Sequence, residues 1–172
     1  MKKIILLILL TGVMALFSRP AFAEYEDGDR IPQEIIAPLM AWVEAQTGVR
    51  VSMLPHVVAS RSKLMYVVSK MGRISGRAKA LYIGGTVILD HRYFDSEDST
   101  QLSLLVHELV HYAQSFRRTS WRCAQEKEME AYTLQNRWLQ EQGHASFVSV
   151  SWIKRMAMCP VDLARIASAR SW

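Results

Sequence analysis

The stretch from Ser103 to Gln114, SLLVHELVHYAQ, constrains this chain more than any other. With Leu102 before it, its residues Leu104, Leu105, Val106, Leu109, Val110 and Ala113 make a helix that is apolar nearly all round. Such a helix belongs in the interior. It takes His107, Glu108 and His111 in with it. Polar groups buried together need partners, since burying them unpaired is costly. Any fold of this chain must therefore place the helix centrally and set something against the two histidines.

His107-Glu108-Leu109-Val110-His111 has the H-E-x-x-H spacing of a zinc helix. Residues four apart stack on one helix face. Two imidazoles can then reach one ion at about 2.0–2.1 Å. Glu108 is offset around the helix, so its carboxylate can reach a metal-bound water without taking a ligand position. That arrangement makes His107 and His111 the candidate ligands and Glu108 the candidate general base.

A catalytic zinc site uses three protein ligands and a water. A second helix, expected over Arg122 to Gln142, offers Glu126, Glu128 and Glu130. At about 100° per residue, Tyr132, Gln135 and Leu139 fall within roughly 40° of Glu128. Glu126 and Glu130 fall on the opposite side with Thr133 and Arg137, where they are expected in water. Glu128 is thus the glutamate centred on the apolar face, and the one that needs a partner.

HELVH followed by EMEAY on a later helix resembles the gluzincin metallopeptidases. The chain is also similar, from about Leu81 to Leu139, to a small exported proteobacterial family of uncharacterised proteins. The resemblance implies a zincin-like fold, a Zn2+ cofactor, a peptide or protein substrate, and Glu128 as third ligand, in agreement with the face argument. One departure stands out. Many gluzincins place an aspartate four residues after the ligand glutamate to orient a zinc histidine, and here that position is Tyr132.

The rest of the chain fits one α+β domain with a small antiparallel sheet packed on helices, a minimal gluzincin architecture. Helices are expected over Ile31 to Thr47, stopped by Gly48, and over Arg61 to Met71, capped by Ser60. Val49 to Ala59 reads as a strand. Lys79 to Asp90 reads as a hairpin around Gly84-Gly85. Its second arm, Thr86 to Leu89, resembles the edge strand that such enzymes set beside the metal. Asp98 is the expected cap of the central helix, with Gln101 reaching back to it.

Met1 to Lys3 is basic, Ile4 to Phe17 is apolar, and Ala21-Phe22-Ala23 is a small-x-small site. This predicts a secretory signal peptide over residues 1–23, cleaved before Glu24 and leaving no membrane anchor. Residues 24–172 then form a single zincin-like domain, periplasmic or secreted. Removing Lys2, Lys3 and Arg19 from the 21 basic residues leaves 18 against 16 acidic ones. So small a surplus, without a basic stripe, argues against nucleic acid. Cys123 and Cys159 are an even pair in an oxidising compartment, which predicts a disulfide.

The oxyanion donor stays open among Tyr112, Tyr132, His144, His91 and Tyr93. Gln114 is a candidate outer partner of His111. Trp42, Trp138 and Trp152 read as core or surface. Two functions follow: an exported zinc-dependent hydrolase, foremost a metallopeptidase, or a non-catalytic zinc-stabilised exported binding protein. Glu108 favours the first, because a structural site has no use for it. Substrate and oligomeric state are not legible.

Overall fold

The computed structural model describes residues 25–72 and 78–162. The expected signal peptide, residues 1–23, lies outside the described residues. The elements run β1 (Asp29–Arg30), α1 (Gln33–Thr47), β2 (His56–Ala59), α2 (Arg61–Lys70), β3 (Ala80–Ile83), β4 (Thr86–Leu89), α3 (Ser99–Ser115), α4 (Glu126–Glu141) and α5 (Val150–Met156), with a 3-10 turn at His91–Tyr93. The α+β class is as expected.

The local signals act as read. Gly48 ends α1 at φ 68°, a left-handed conformation that costs glycine little. Gly84 and Gly85 both have positive φ, 54° and 81°, as a tight two-residue hairpin turn requires. Ser60 caps α2 by accepting from the Lys63 N–H. Asp98 caps α3 by accepting from Thr100 and Gln101 N–H. Gln101 reaches back to the Asp98 carboxylate itself, at 3.1 Å.

Two strand assignments are corrected. Of Val49 to Ala59 only His56–Ala59 is strand, because Pro55 has no N–H to give a ladder. The sheet is mixed rather than antiparallel, in the order β1-β2-β4-β3. β1/β2 and β3/β4 are antiparallel, but β2/β4 is parallel, with Val57 opposite Val87 and Ala59 opposite Leu89. A parallel pair needs a long crossover, and α2 lies in it. The same pairing moves Thr86–Leu89 from the edge to the interior. β4 is hydrogen-bonded on both sides, and the edges of the sheet are β3 and the two-residue β1.

Strand alternation divides the core in two. Val57, Ala59, Val87 and Leu89 pack with α1, α3 and α4, including Val43, Leu105, Leu109, Ala131 and Leu139. Val58 and Ile88 face the other way, onto Leu64 and Val68 of α2. α3 is central, as its composition demands, with Leu105, Val106, Leu109, Val110 and Ala113 fully buried. Cys123, before α4, is joined to Cys159, after α5. Among the described residues no helix is long and apolar enough to cross a membrane.

Candidate metal centre

The centre lies where the middle of α3 meets the first turn of α4. His107 and His111 project from successive turns of α3, their Nε2 atoms 3.1 Å apart. Two nitrogens bound tetrahedrally to one zinc ion would be about 3.3 Å apart. Glu128 closes the triangle, with its carboxylate oxygens 3.3 Å from His107 Nε2 and 3.5 Å from His111 Nε2. These three side chains form a group that could hold a metal ion. His107 and Glu108 are 7% exposed, while the Glu128 side chain keeps 29% of its surface open to solvent.

The outer partners decide which atoms face inward. Ser103 Oγ donates to Thr100 O at 2.6 Å, so it accepts from Gln135 Nε2 at 3.0 Å. Gln135 Oε1 therefore faces His107 Nδ1, at 3.1 Å, and Nδ1 carries the hydrogen. At His111 the logic repeats. Gln114 Nε2 lies 3.0 Å from both Lys127 O and Glu130 Oε2, which only accept. Its Oε1 accepts from His111 Nδ1 at 2.9 Å. Both Nε2 lone pairs thus face each other across 3.1 Å, beside a carboxylate. Three acceptors converging in a partly buried place favour a positive charge between them, and the residues fit a bound cation.

The groups around His111 favour its protonated form. Burial works against it, but the Glu128 hydrogen bond and the charges of Glu108 and Glu128 outweigh burial and raise the His111 pKa to about 9. Burial pushes the Glu128 carboxyl up, and the two histidines more than reverse this, so it lies well below the usual carboxylate range.

Tyr132 stands where the gluzincin pattern has an aspartate. Its ring packs on His107, centroids 4.2 Å apart. Trp152 of α5 packs edge-on against Tyr132 in turn, at 4.8 Å. Burial, with Glu128 and Glu108, pushes the Tyr132 phenol up to about 12, so it keeps its proton.

An open cleft of about 350 Å³ leads to the centre. Its lining includes His107, Glu108 and Tyr132, Ala80 at the start of β3, and an apolar wall of Phe147, Val148 and Trp152. Asn136 holds that wall by donating to Val148 O and accepting from Val148 N.

Of the five candidate donors, only Tyr132 lines this cleft. The Tyr112 hydroxyl is used on Met53 O at 2.7 Å. His144 is exposed, beside Asp95 and Asp98. His91 lies 3.4 Å from Asp27, and Tyr93 is exposed with Lys79 over its ring. Trp152, read as core or surface, belongs to the cleft wall. Glu130 is a further correction. It does not sit free in water, because it holds Arg117 through two hydrogen bonds and accepts from Gln114. Gln135 was not singled out as a histidine partner, although it shares the Glu128 face two turns along α4.

A family model described as a domain of unknown function (DUF6647) matches residues 29–163. The chain belongs to that family. The DUF6647 region runs from β1 past α5 and includes both histidines, Glu128 and the two cysteines. No curated protein and no solved structure matches the chain.

Proposed function

We propose that this DUF6647 protein is an exported zinc-dependent hydrolase, most specifically a metallopeptidase. One observation carries the reading: Glu108 lies on the cleft beside His107, while His107, His111 and Glu128 supply the convergent ligand atoms. Two histidines and a glutamate are a donor set of catalytic zinc, with a fourth position for water. The Cys123–Cys159 bond supports an oxidising compartment.

When bound, zinc would supply a water with its pKa lowered to about 7 and would polarise a substrate carbonyl. His107, His111 and Glu128 would hold it, with His107 and Glu108 on the cleft. Glu108 takes a proton from the attacking water and passes it to the amine nitrogen as the amide C–N bond breaks. The Tyr132 hydroxyl, kept protonated, is the hydrogen-bond donor proposed for the oxygen that becomes negative. The outer edge of β3, whose Ala80 lines the cleft after Ala78 and Lys79, gives an extended peptide a backbone to pair with. That role passes to β3 because β4 has no free edge.

The test uses purified protein with one equivalent of zinc, assayed on a mixture of unstructured peptides. Cleavage should stop with chelator and return with zinc. Glu108→Gln should keep zinc and lose cleavage. A wild-type protein that binds zinc but cleaves nothing supports the binding-protein alternative, and loss of zinc in Glu108→Gln would place Glu108 among the ligands.

A further inference from the structure

We infer that Gln135 and Gln114 are positioning residues of the metal centre, each holding one ligand imidazole through a neutral carboxamide. The inference rests on the metal reading of His107, His111 and Glu128, and it concerns what makes that centre ready to bind.

Both glutamines are almost fully buried, at 1% and 2% exposure. A buried carboxamide must satisfy both of its ends, and each of these is anchored at the end away from the metal. Gln135 is tied through Ser103 Oγ to Thr100 O, which keeps the chain of bonds within α3 beyond its own helix. Gln114 is tied to Lys127 O and Glu130 on α4. Glu130 is held by Arg117, whose other bond goes to Thr47 O at the end of α1. Each glutamine crosses between α3 and α4, one outward from each ligand histidine. The rotamer and the tautomer of both imidazoles are thereby set before any metal arrives.

The choice of amide over carboxylate has a chemical consequence. A carboxylate on Nδ1 raises the basicity of a ligand histidine. A carboxamide orients the ring without adding charge. The centre then keeps one anionic ligand, Glu128, and a bound divalent ion stays more electron-poor than with acidic outer partners.

The two sites differ in what they would accept. At Gln135 the far group is the Ser103 hydroxyl, which can rotate and donate to an introduced carboxylate. At Gln114 the far groups are a carbonyl and the Glu130 carboxylate, which cannot donate. So Gln135→Glu should bind zinc at least as tightly as wild type, and Gln114→Glu should bind it more weakly. Gln135→Met and Gln114→Met keep length and lose the hydrogen bonds, and each should weaken zinc about 10–100-fold.

The experiment measures zinc affinity of the full chain by competition with a chromophoric chelator, with metal-free melting of each variant as control. Weaker zinc binding in both methionine variants, with the opposite responses of the two glutamate variants, supports the assignment. If a methionine variant does not fold, the glutamate pair decides alone. Wild-type affinity in both methionine variants, or equal losses in both glutamate variants, overturns it. Wild-type protein that takes up no zinc removes the metal reading beneath it as well.

Discussion

At the scale of single residues, the three glutamates of α4 separate by their partners. Glu128 meets both histidines, so Glu128→Ala should abolish tight zinc binding, and chelator should no longer shift its melting. Glu126 pairs with Arg122 at the surface, and Glu126→Ala should leave metal content and melting temperature unchanged. Glu130→Ala should keep the metal ligands but strand Arg117 and the Gln114 amide. For a pair about a quarter exposed a loss of about 1 kcal/mol is expected, read by chemical denaturation. Direction on a helical wheel separated Glu128 from its neighbours. The reach of Glu130 back to Arg117 did not follow from it, because that depends on where α3 ends.

Asp90 makes a second residue-scale prediction. It is 1% exposed and accepts from Arg61 at 2.6 Å and from Arg92 through three bonds. Burial pushes its carboxyl up, but Arg92 and Arg61 outweigh that and hold its pKa below the ordinary value. A carboxyl with a depressed folded pKa stabilises above its unfolded pKa of about 3.9 and loses that contribution as pH falls towards the folded value. Thermal melts from pH 7 to pH 2.5 should show the loss in wild type. Asp90→Asn should melt lower at pH 7 and show a shallower decline below pH 4. Equal acid slopes in the two proteins would discount the ion pairs.

At the scale of elements, most of the helices and the hairpin were legible because their signals are local. A cap, a stop glycine and an apolar stripe all act within a turn or two. Asp98 illustrates this. Its carboxylate satisfies two N–H groups at the start of the helix that bears both histidines. Asp98→Ala should cost about 1 kcal/mol of stability, measured by urea unfolding, while zinc stoichiometry stays at wild type. A large loss of zinc with that change would mean the cap controls the site and not merely the helix. Strand ends were less legible. Val49 to Leu54 is apolar and β-branched enough for a strand, yet Pro55 and the Tyr112 bond to Met53 O hold it as a loop.

At the scale of the molecule, α4 is held twice. Glu128 ties its first turn to His107 and His111 of α3, and Cys123, just before it, is bonded to Cys159. The cysteines are 36 residues apart, and in the chain-entropy model such a bond stabilises by about 3–4 kcal/mol. Reduction should lower the melting temperature of metal-free protein, and zinc should restore part of it, since a ligand that binds only the folded state stabilises it. Melting curves with and without reductant, each with zinc or chelator, would check this. Zinc that restores nothing would show that the centre does not clamp α3 to α4.

The sequence by itself determined the α+β class, the helix that must be buried, its two histidines and Glu108, and the glutamate that faces them. These follow from periodicity and spacing, which act along one element. Only the tertiary structure decided the strand order, the Gln135 partner of His107 and the cleft wall. TVIL in β4 is apolar on both faces, which already suits a strand covered by helices on both sides. But its parallel partner, β2, is fixed by packing two cores at once, with Val57 and Val87 on one side and Val58 and Ile88 on the other. Gln114 was legible as a partner of His111, because three residues along one helix bring the two side chains together. Gln135 looks like an ordinary polar residue until α3 and α4 cross, since its histidine lies 28 residues away, and the Glu130 that anchors Gln114 lies 16 away. Such distances along the chain carry no periodic signal, and only the packing of the two helices brings those groups within hydrogen-bond reach.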